Sequence, residues 1–240
     1  MSKLKKYIIV SLILLSIIIA LGTTYYYKNY MYSLEKVSKM LNSVEFPSNV
    51  RIEHRIYLTD ANELITKINR YIKDNKEYIV QEDASLKENR IGKIEQIYDD
   101  DNKENIVIYH DEKRIYSYEY EEVIPRIMPL KNNFFLYVQQ HGVYEHCGKY
   151  EFHGKENVNG KQCIKVSFTD EYDYEVNVNS FYIDLETYFI IKYEVYHGAS
   201  KADLGKTWTE TYEYYPNTVT DEQILKFDKN NYPNYEIWGI

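Results

Sequence analysis

From Val50 onward the apolar positions recur at every second residue. Val50, Ile52, His54, Ile56 and Leu58 alternate with Arg51, Glu53, Arg55, Tyr57 and Thr59, the pattern of a strand with one buried and one wet face. Runs of the same kind cover 64–72, 77–82, 93–98, 105–110 and 114–120, separated by turns rich in Asp, Asn and Lys. The chain is building an antiparallel meander. Before it the period is helical: over Met31 to Val44, Leu34, Val37, Met40 (or Leu41) and Val44 fall on one face, and Pro47 ends the helix. A second helix is predicted over Lys131 to Gln140, after Pro125 and Pro129. Strands then resume to Tyr215, and Thr220 to Gln223 has the spacing of a capping box. The tail from Phe227 to Ile240 reads as irregular, with aromatics that pack back on the sheet.

The pattern also predicts register at two hairpins. A two-residue loop at Asn159-Gly160 would set Val166 against His153 and Phe168 against Glu151. A three-residue loop, Val158-Asn159-Gly160, instead sets Val166 opposite Phe152, Phe168 opposite Tyr150 and Cys163 opposite Lys155, so it is the expected one. At the next hairpin a four-residue loop, Leu185 to Tyr188, pairs Tyr182 with Ile191, Ser180 with Tyr193 and Val178 with Val195. Asn177, Asn179, Lys192 and Glu194 are left on the other side, so the sheet is expected to have one apolar face. Tyr188 stands where such a loop wants a left-handed residue, and Asp184 is placed to cap the loop backbone.

The amino terminus changes the picture from fold to compartment. Lys3, Lys5 and Lys6 precede an uncharged apolar run from Tyr7 to Leu21, which Gly22 to Tyr27 extend to about the 20 residues a membrane span needs. This is an export signal, read as a single-pass transmembrane signal-anchor over 1–28 with its basic end inside. One domain, 29–240, then lies outside the cytoplasm; no linker or repeat divides it. Ala20-Leu21-Gly22 also fits the cleavage rule, and cleavage near Gly22 would release that domain. With Lys3, Lys5, Lys6 and Lys28 set aside, 25 of the 29 basic residues face all 37 acidic ones, a net charge of −12. Such a surface repels nucleic acid. Heavy use of Tyr, Lys, Asn and Ile points to a low-G+C bacterial source.

Candidate chemistry adds little. Cys147 and Cys163 sit too far apart along the expected strand for a disulfide unless the chain bends back before Lys149. His141, His146, Cys147, His153 and Cys163 are the densest group of soft ligands but lack zinc spacing. Asp99 to Glu104 lacks the glycine and the terminal glutamate of a calcium loop and reads as a hairpin tip. His54 lies on the apolar face of its strand. No nucleophile with a partnered histidine and no paired acids in a cleft stand out, so neither an enzyme, a metal nor a cofactor is expected. Tyr116, Tyr118 and Tyr120 suit a half-wet pleated surface; their functional alternative is a stacking platform for glycans.

Three segments in order, "YEFHGKENVNGKQCIKVSF", "NSFYIDLETYFIIKYEVY" and "YYPNTVTDEQILKFD", resemble the LolA-like lipoprotein-carrier superfamily. There a Gly-x-Glu-x-Val-x-Gly hairpin precedes a Tyr-x-Asp-x-x-Thr-Gly hairpin, and a Val-Thr-Asp segment follows. The likeness covers Tyr150 to Asp228 and, loosely, the first helix. Tyr188 replaces the family's turn glycine, and the lipobox cysteine of many Gram-positive relatives is missing. The resemblance implies a mainly β (α+β) fold: a strongly curved antiparallel sheet, an open half-barrel, with helices on its concave face. It also implies an acyl chain, lipid or apolar peptide held on that face. The expected wall is Phe152, Ile164, Val166, Phe168, Val178, Tyr182, Phe189, Ile191, Tyr193 and Val195. An envelope sensor or protein-interaction domain of the same fold, with a self-filled groove, is the alternative.

Overall fold

The computed structural model describes residues 14–22, 32–58, 63–83, 92–120, 128–143, 149–172, 174–224 and 226–239. Their strands join into one open, curved sheet made of two antiparallel meanders. The first comprises β1 (Asn49–Leu58), β2 (Glu63–Lys73), β3 (Lys76–Asp83), β4 (Lys93–Asp99), β5 (Glu104–Tyr109) and β6 (Arg114–Glu119). The second comprises β7 (Lys149–Val158), β8 (Lys161–Tyr172), β9 (Glu175–Asp184), β10 (Ile190–Gly198) and β11 (Gly205–Pro216). β11 pairs with β1 and so sews the meanders together. The tail departs from the expectation of an irregular segment: β12 (Glu236–Gly239) adds a strand parallel to β6 at the far edge.

Two helices lie where the sequence places them. α1 (Leu34–Asn42) starts at Ser33, whose hydroxyl accepts the Lys36 N–H at 3.2 Å, and it buries Val37 and Leu41. α2 (Lys131–Val143) runs three residues beyond the expected Gln140 and buries Phe134 completely. Residues 14–22 of the apolar amino-terminal run are helical, and their large side chains are exposed. Among the described residues no helix is long and apolar enough to cross a membrane.

Both hairpin registers were right at one point and shifted at another. Between β7 and β8 the loop has two residues, Asn159 and Gly160, both left-handed at φ 51° and 83°. Val158 pairs with Lys161 rather than joining the loop. The clash of faces that argued against this loop is removed by a bulge between Phe152 and Lys155, where Gly154 adopts φ 85°. The extra residue restores Phe152 opposite Val166 and Tyr150 opposite Phe168, and it moves Cys163 opposite Glu156 instead of Lys155.

Between β9 and β10 the four-residue loop Leu185–Tyr188 forms as expected, with the Tyr188 N–H on the Asp184 carbonyl at 2.8 Å and Tyr188 at φ 57°. Asp184 caps it, accepting the Glu186 N–H at 3.1 Å and the Thr187 hydroxyl at 2.8 Å. A bulge between Ile190 and Lys192 then slips the register by one residue. Phe181, not Ser180, faces Tyr193, and Lys192, not Ile191, faces Tyr182.

The sheet does not have one apolar face; it buries opposite faces at its two ends. Register places Ile164, Val166, Phe168, Phe181 and Tyr193 with Val50 and Ile52 on the face that α1 and α2 cover. In β4 to β6 the buried residues Ile97, Ile106, Ile108 and Ile115 point the other way, under Phe227, Tyr232 and Tyr235 of the tail. The tail aromatics thus pack back on the sheet, on the face away from the helices.

Tyr188 holds a left-handed backbone that costs a non-glycine residue on the order of 1 kcal/mol. Replacing it by glycine (Tyr188→Gly) is expected to raise the melting temperature by about 2–4 °C. A fall in thermal denaturation experiments would mean that the ring, which lines a surface pocket with Ser33, Lys36 and Met40 of the α1 region, contributes more packing than the backbone loses.

Candidate functional site

Cross-strand pairing assembles the wall beneath the helices. Ile164 faces Ile183, Val166 faces Phe181, and Phe181 in turn faces Tyr193. Phe152 lies beside Val166 on the edge strand, and Val195 beside Asn179 on β10. Of the ten expected wall residues, all but Val178 belong to or pack against this cluster with α1 and α2: Phe152, Ile164, Val166, Phe168, Tyr182, Phe189, Ile191, Tyr193 and Val195. The bulge at Ile191 turns Val178 and Tyr182 to the opposite side of the sheet, with Ser180, Lys192 and Glu194, although Tyr182 stays buried as part of the cluster. The same slip brings in Phe181 and Ile183, which the expected register had excluded. Two consecutive apolar residues at the start of β10, Ile190 and Ile191, were the signal for that bulge.

An aromatic plug fills the wall. Phe134 of α2 meets Phe168 edge-on at 5.6 Å and Phe181 at 5.4 Å, while Tyr137, one turn on, stacks over Phe168 at 5.5 Å. Phe181 continues the cluster to Tyr193 at 4.8 Å. The Tyr193 hydroxyl donates to Asn179 at 2.6 Å, and burial drives its phenol well above the ordinary range. Ile164, Val166, Phe168 and Phe181 are all 0% exposed. Leu136 on the outer side of α2 is 54% exposed.

Where the wall reaches β1 through β11, His54 stacks on Tyr212 with ring centroids 4.2 Å apart, and its Nε2 lies 2.9 Å from Glu210. Burial raises the Glu210 carboxyl, but hydrogen bonds from His54 and Tyr212 outweigh that and hold it below its ordinary value. His54 is therefore a satisfied histidine inside the sheet.

The opposite face of β8 to β10 carries a polar cluster that the sequence reading missed. Glu194 is 2% exposed and receives Lys192 and Lys206, each at 2.8 Å, on one oxygen. Its other oxygen accepts the Tyr182 hydroxyl and, at 3.0 Å, that of Tyr196. Lys192 and Lys165 lie over the Tyr182 ring, 4.8 and 5.2 Å from its centroid. Nearby Ser167 bonds Ser180 at 2.7 Å and the exposed His153 at 2.9 Å. These are cross-strand bonds within the pleat rather than a nucleophile aimed into a cleft.

The remaining candidates resolve simply. Cys163 is a free, buried thiol, pushed up to about 11 by burial; Cys147 and His146 lie outside the described residues, as does the side chain of His141. Among the described residues no group of three or more His, Cys, Asp or Glu could hold a metal. Asp99 folds the hairpin tip, accepting the backbone N–H groups of Asp101 and Asn102 at 3.1 and 3.3 Å and pairing with Lys76 at 2.8 Å.

The fold thus defines a mainly β protein with a curved open sheet and an apolar wall beneath two helices. No protein-family model and no curated protein matches the chain. It overlays on the lipoprotein LppX of Mycobacterium tuberculosis with a TM-score of 0.39 and 9% identity, covering 75% of this chain and 95% of that one. LprF of Mycobacterium bovis gives 0.38 and 8%, covering 80% and 97%. PNGF-II gives 0.32 and 6%, over 80% of this chain and 31% of that one. Overlays this loose assign neither a family nor a ligand.

Burial raises the Glu194 carboxyl, yet hydrogen bonds from Lys192, Lys206 and Tyr182 prevail and hold it at about 2, against an ordinary 4.5. A depressed carboxylate stabilises fully above its unfolded value and loses that contribution as pH falls from there to the folded value. Thermal stability should therefore drop from pH 4.5 to about 2. In Glu194→Gln, less stable at neutral pH by about 1–3 kcal/mol, this part of the drop should vanish; parallel melting curves for the two proteins over that range would contradict it.

Proposed function

We propose that the chain is a non-enzymatic, extracytoplasmic binding protein, anchored by residues 1–28, that holds an acyl chain, a lipid or an apolar peptide segment against the helix-covered face of the sheet. One observation carries this reading. The wall from Ile164 to Tyr193 is continuous, and at its centre the rings of Phe134 and Tyr137 of α2 pack directly on Phe168 and Phe181. An apolar ligand enters by taking the place of those two rings, and the wall keeps its buried area because one apolar cover replaces another. Phe152, Phe189, Ile191 and Val195 extend the contact to either side, joined by Phe181 and Ile183.

A second reading, an envelope sensor or protein-interaction domain, is favoured by the completeness of the same packing: Ile164, Val166, Phe168, Phe181 and Ile183 of the wall have no exposed surface. In that case the wall is an ordinary core and recognition happens elsewhere.

The full chain in its own membranes, treated with a photoactivatable fatty acid, is expected to be labelled on β8 to β10. The conservative opening of the plug, Phe134→Leu, should increase that labelling several-fold. Label confined to residues 1–28, unchanged in Phe134→Leu, would sink the lipid reading and leave the interaction domain.

A further inference from the structure

Among the described residues, the aromatics on the face of β4 to β6 turned away from the tail belong to none of the clusters packed with the helices or the tail, and they are dispersed in the sequence. Register sets Tyr116 opposite Val107 and beside Trp238 of β12, with Tyr118 opposite Asn105 and Tyr109 opposite Ile94. Tyr116 and Tyr118 lie parallel within 8° at 6.2 Å, and Tyr109 meets Tyr116 edge-on at 5.7 Å. Tyr118 is 48% and Trp238 54% exposed. Beside these rings Gln96 Nε2 donates to the Tyr98 hydroxyl at 2.6 Å and to Asn105 Oδ1 at 3.1 Å, so that Gln96 Oε1 and Asn105 Nδ2 take no part in these bonds.

We infer that this face binds an uncharged polysaccharide strand. The occupant follows from the mixture of groups. Exposed aromatic faces call for an apolar surface, but an acyl chain laid over the Gln96–Asn105 pair would strip water from two amides and return no hydrogen bond. A pyranose answers both demands, with C–H faces for the rings and hydroxyls for the amides. Charge narrows the class further. The guanidinium of Arg114, at the edge of the patch, is shared between Glu112 at 3.0 Å and Glu236 at 3.8 Å, and the whole chain carries −8. A polyanionic glycan would be repelled. The site is separate from the wall under the helices and stands or falls independently of it.

The test uses the full chain in detergent, with oligomers of N-acetylglucosamine and of glucose as probes and intrinsic fluorescence as the readout. The chain has two tryptophans, and Trp208→Phe leaves Trp238 as reporter. A saturable change in Trp238 emission is expected, weakened roughly tenfold by Tyr118→Ala and restored by Tyr118→Phe, which keeps the stacking ring. Gln96→Leu should weaken binding as well, whereas Phe134→Leu should leave it unchanged. No saturable response to either oligomer, or one indifferent to Tyr118→Ala and Gln96→Leu, overturns the proposal. So does a Tyr118-dependent response to lipid vesicles or to a protein partner without one to sugars.

Discussion

The ladder between β1 and β11 is the constraint on which the rest of the molecule depends. Each meander pairs neighbours in sequence, and the β1–β11 ladder joins the two into one sheet. Their junction runs from Val50 opposite Pro216 to Leu58 opposite Trp208. At one end the Asn49 side chain accepts the Val219 N–H at 2.9 Å and donates to the Val219 carbonyl at 3.0 Å, across 170 residues of chain. In the middle, His54, Tyr212 and Glu210 satisfy one another on the helix side. On the other side Arg55 bonds Glu213 at 2.9 Å, and Arg51 lies over the Tyr215 ring at 4.4 Å. Such a contact carries a large loop-closure cost, which explains why so many directional bonds concentrate along it.

From that seam the two halves diverge. The second meander uses helices as cover, because α1 and α2 present Val37, Leu41, Phe134 and Tyr137 to a wall of aromatic and branched residues. The first meander uses the carboxyl-terminal tail, on the opposite face. A twisted sheet permits this change of side between its ends. One end of the helix-side face is therefore a closed apolar wall, and the other end displays tyrosine and tryptophan with amides beside them. The acyl-type ligand we propose belongs to the first, and the polysaccharide we infer to the second.

The polar cluster around Glu194 shows how a sheet can bury a charge by satisfying it from neighbouring strands. Two lysines and two tyrosines converge on one carboxylate from three strands, and the register slip at Ile191 is what aligns them. Tyr182, which as an apolar-wall residue would have been a ligand contact, instead spends its hydroxyl there.

Much of this was legible in the sequence. The period of two from Val50, the helical face of Val37 and Leu41, the left-handed Tyr188, the Asp184 cap and the Thr220–Gln223 capping box are local matters, set by alternation and turn chemistry. What the sequence could not supply was anything depending on a bulge or on distant chain. A single inserted residue at Gly154 or Ile191 reverses which side chains share a face, so Val178 and Tyr182 were assigned to the wall and Phe181 and Ile183 were not. Alternation alone cannot tell which face will be covered, or by what. That choice came from the β1–β11 pairing, from β12 docking on β6, and from the tail lying over Ile97 and Ile108, contacts between segments far apart along the chain whose energy exists only once the sheet has formed.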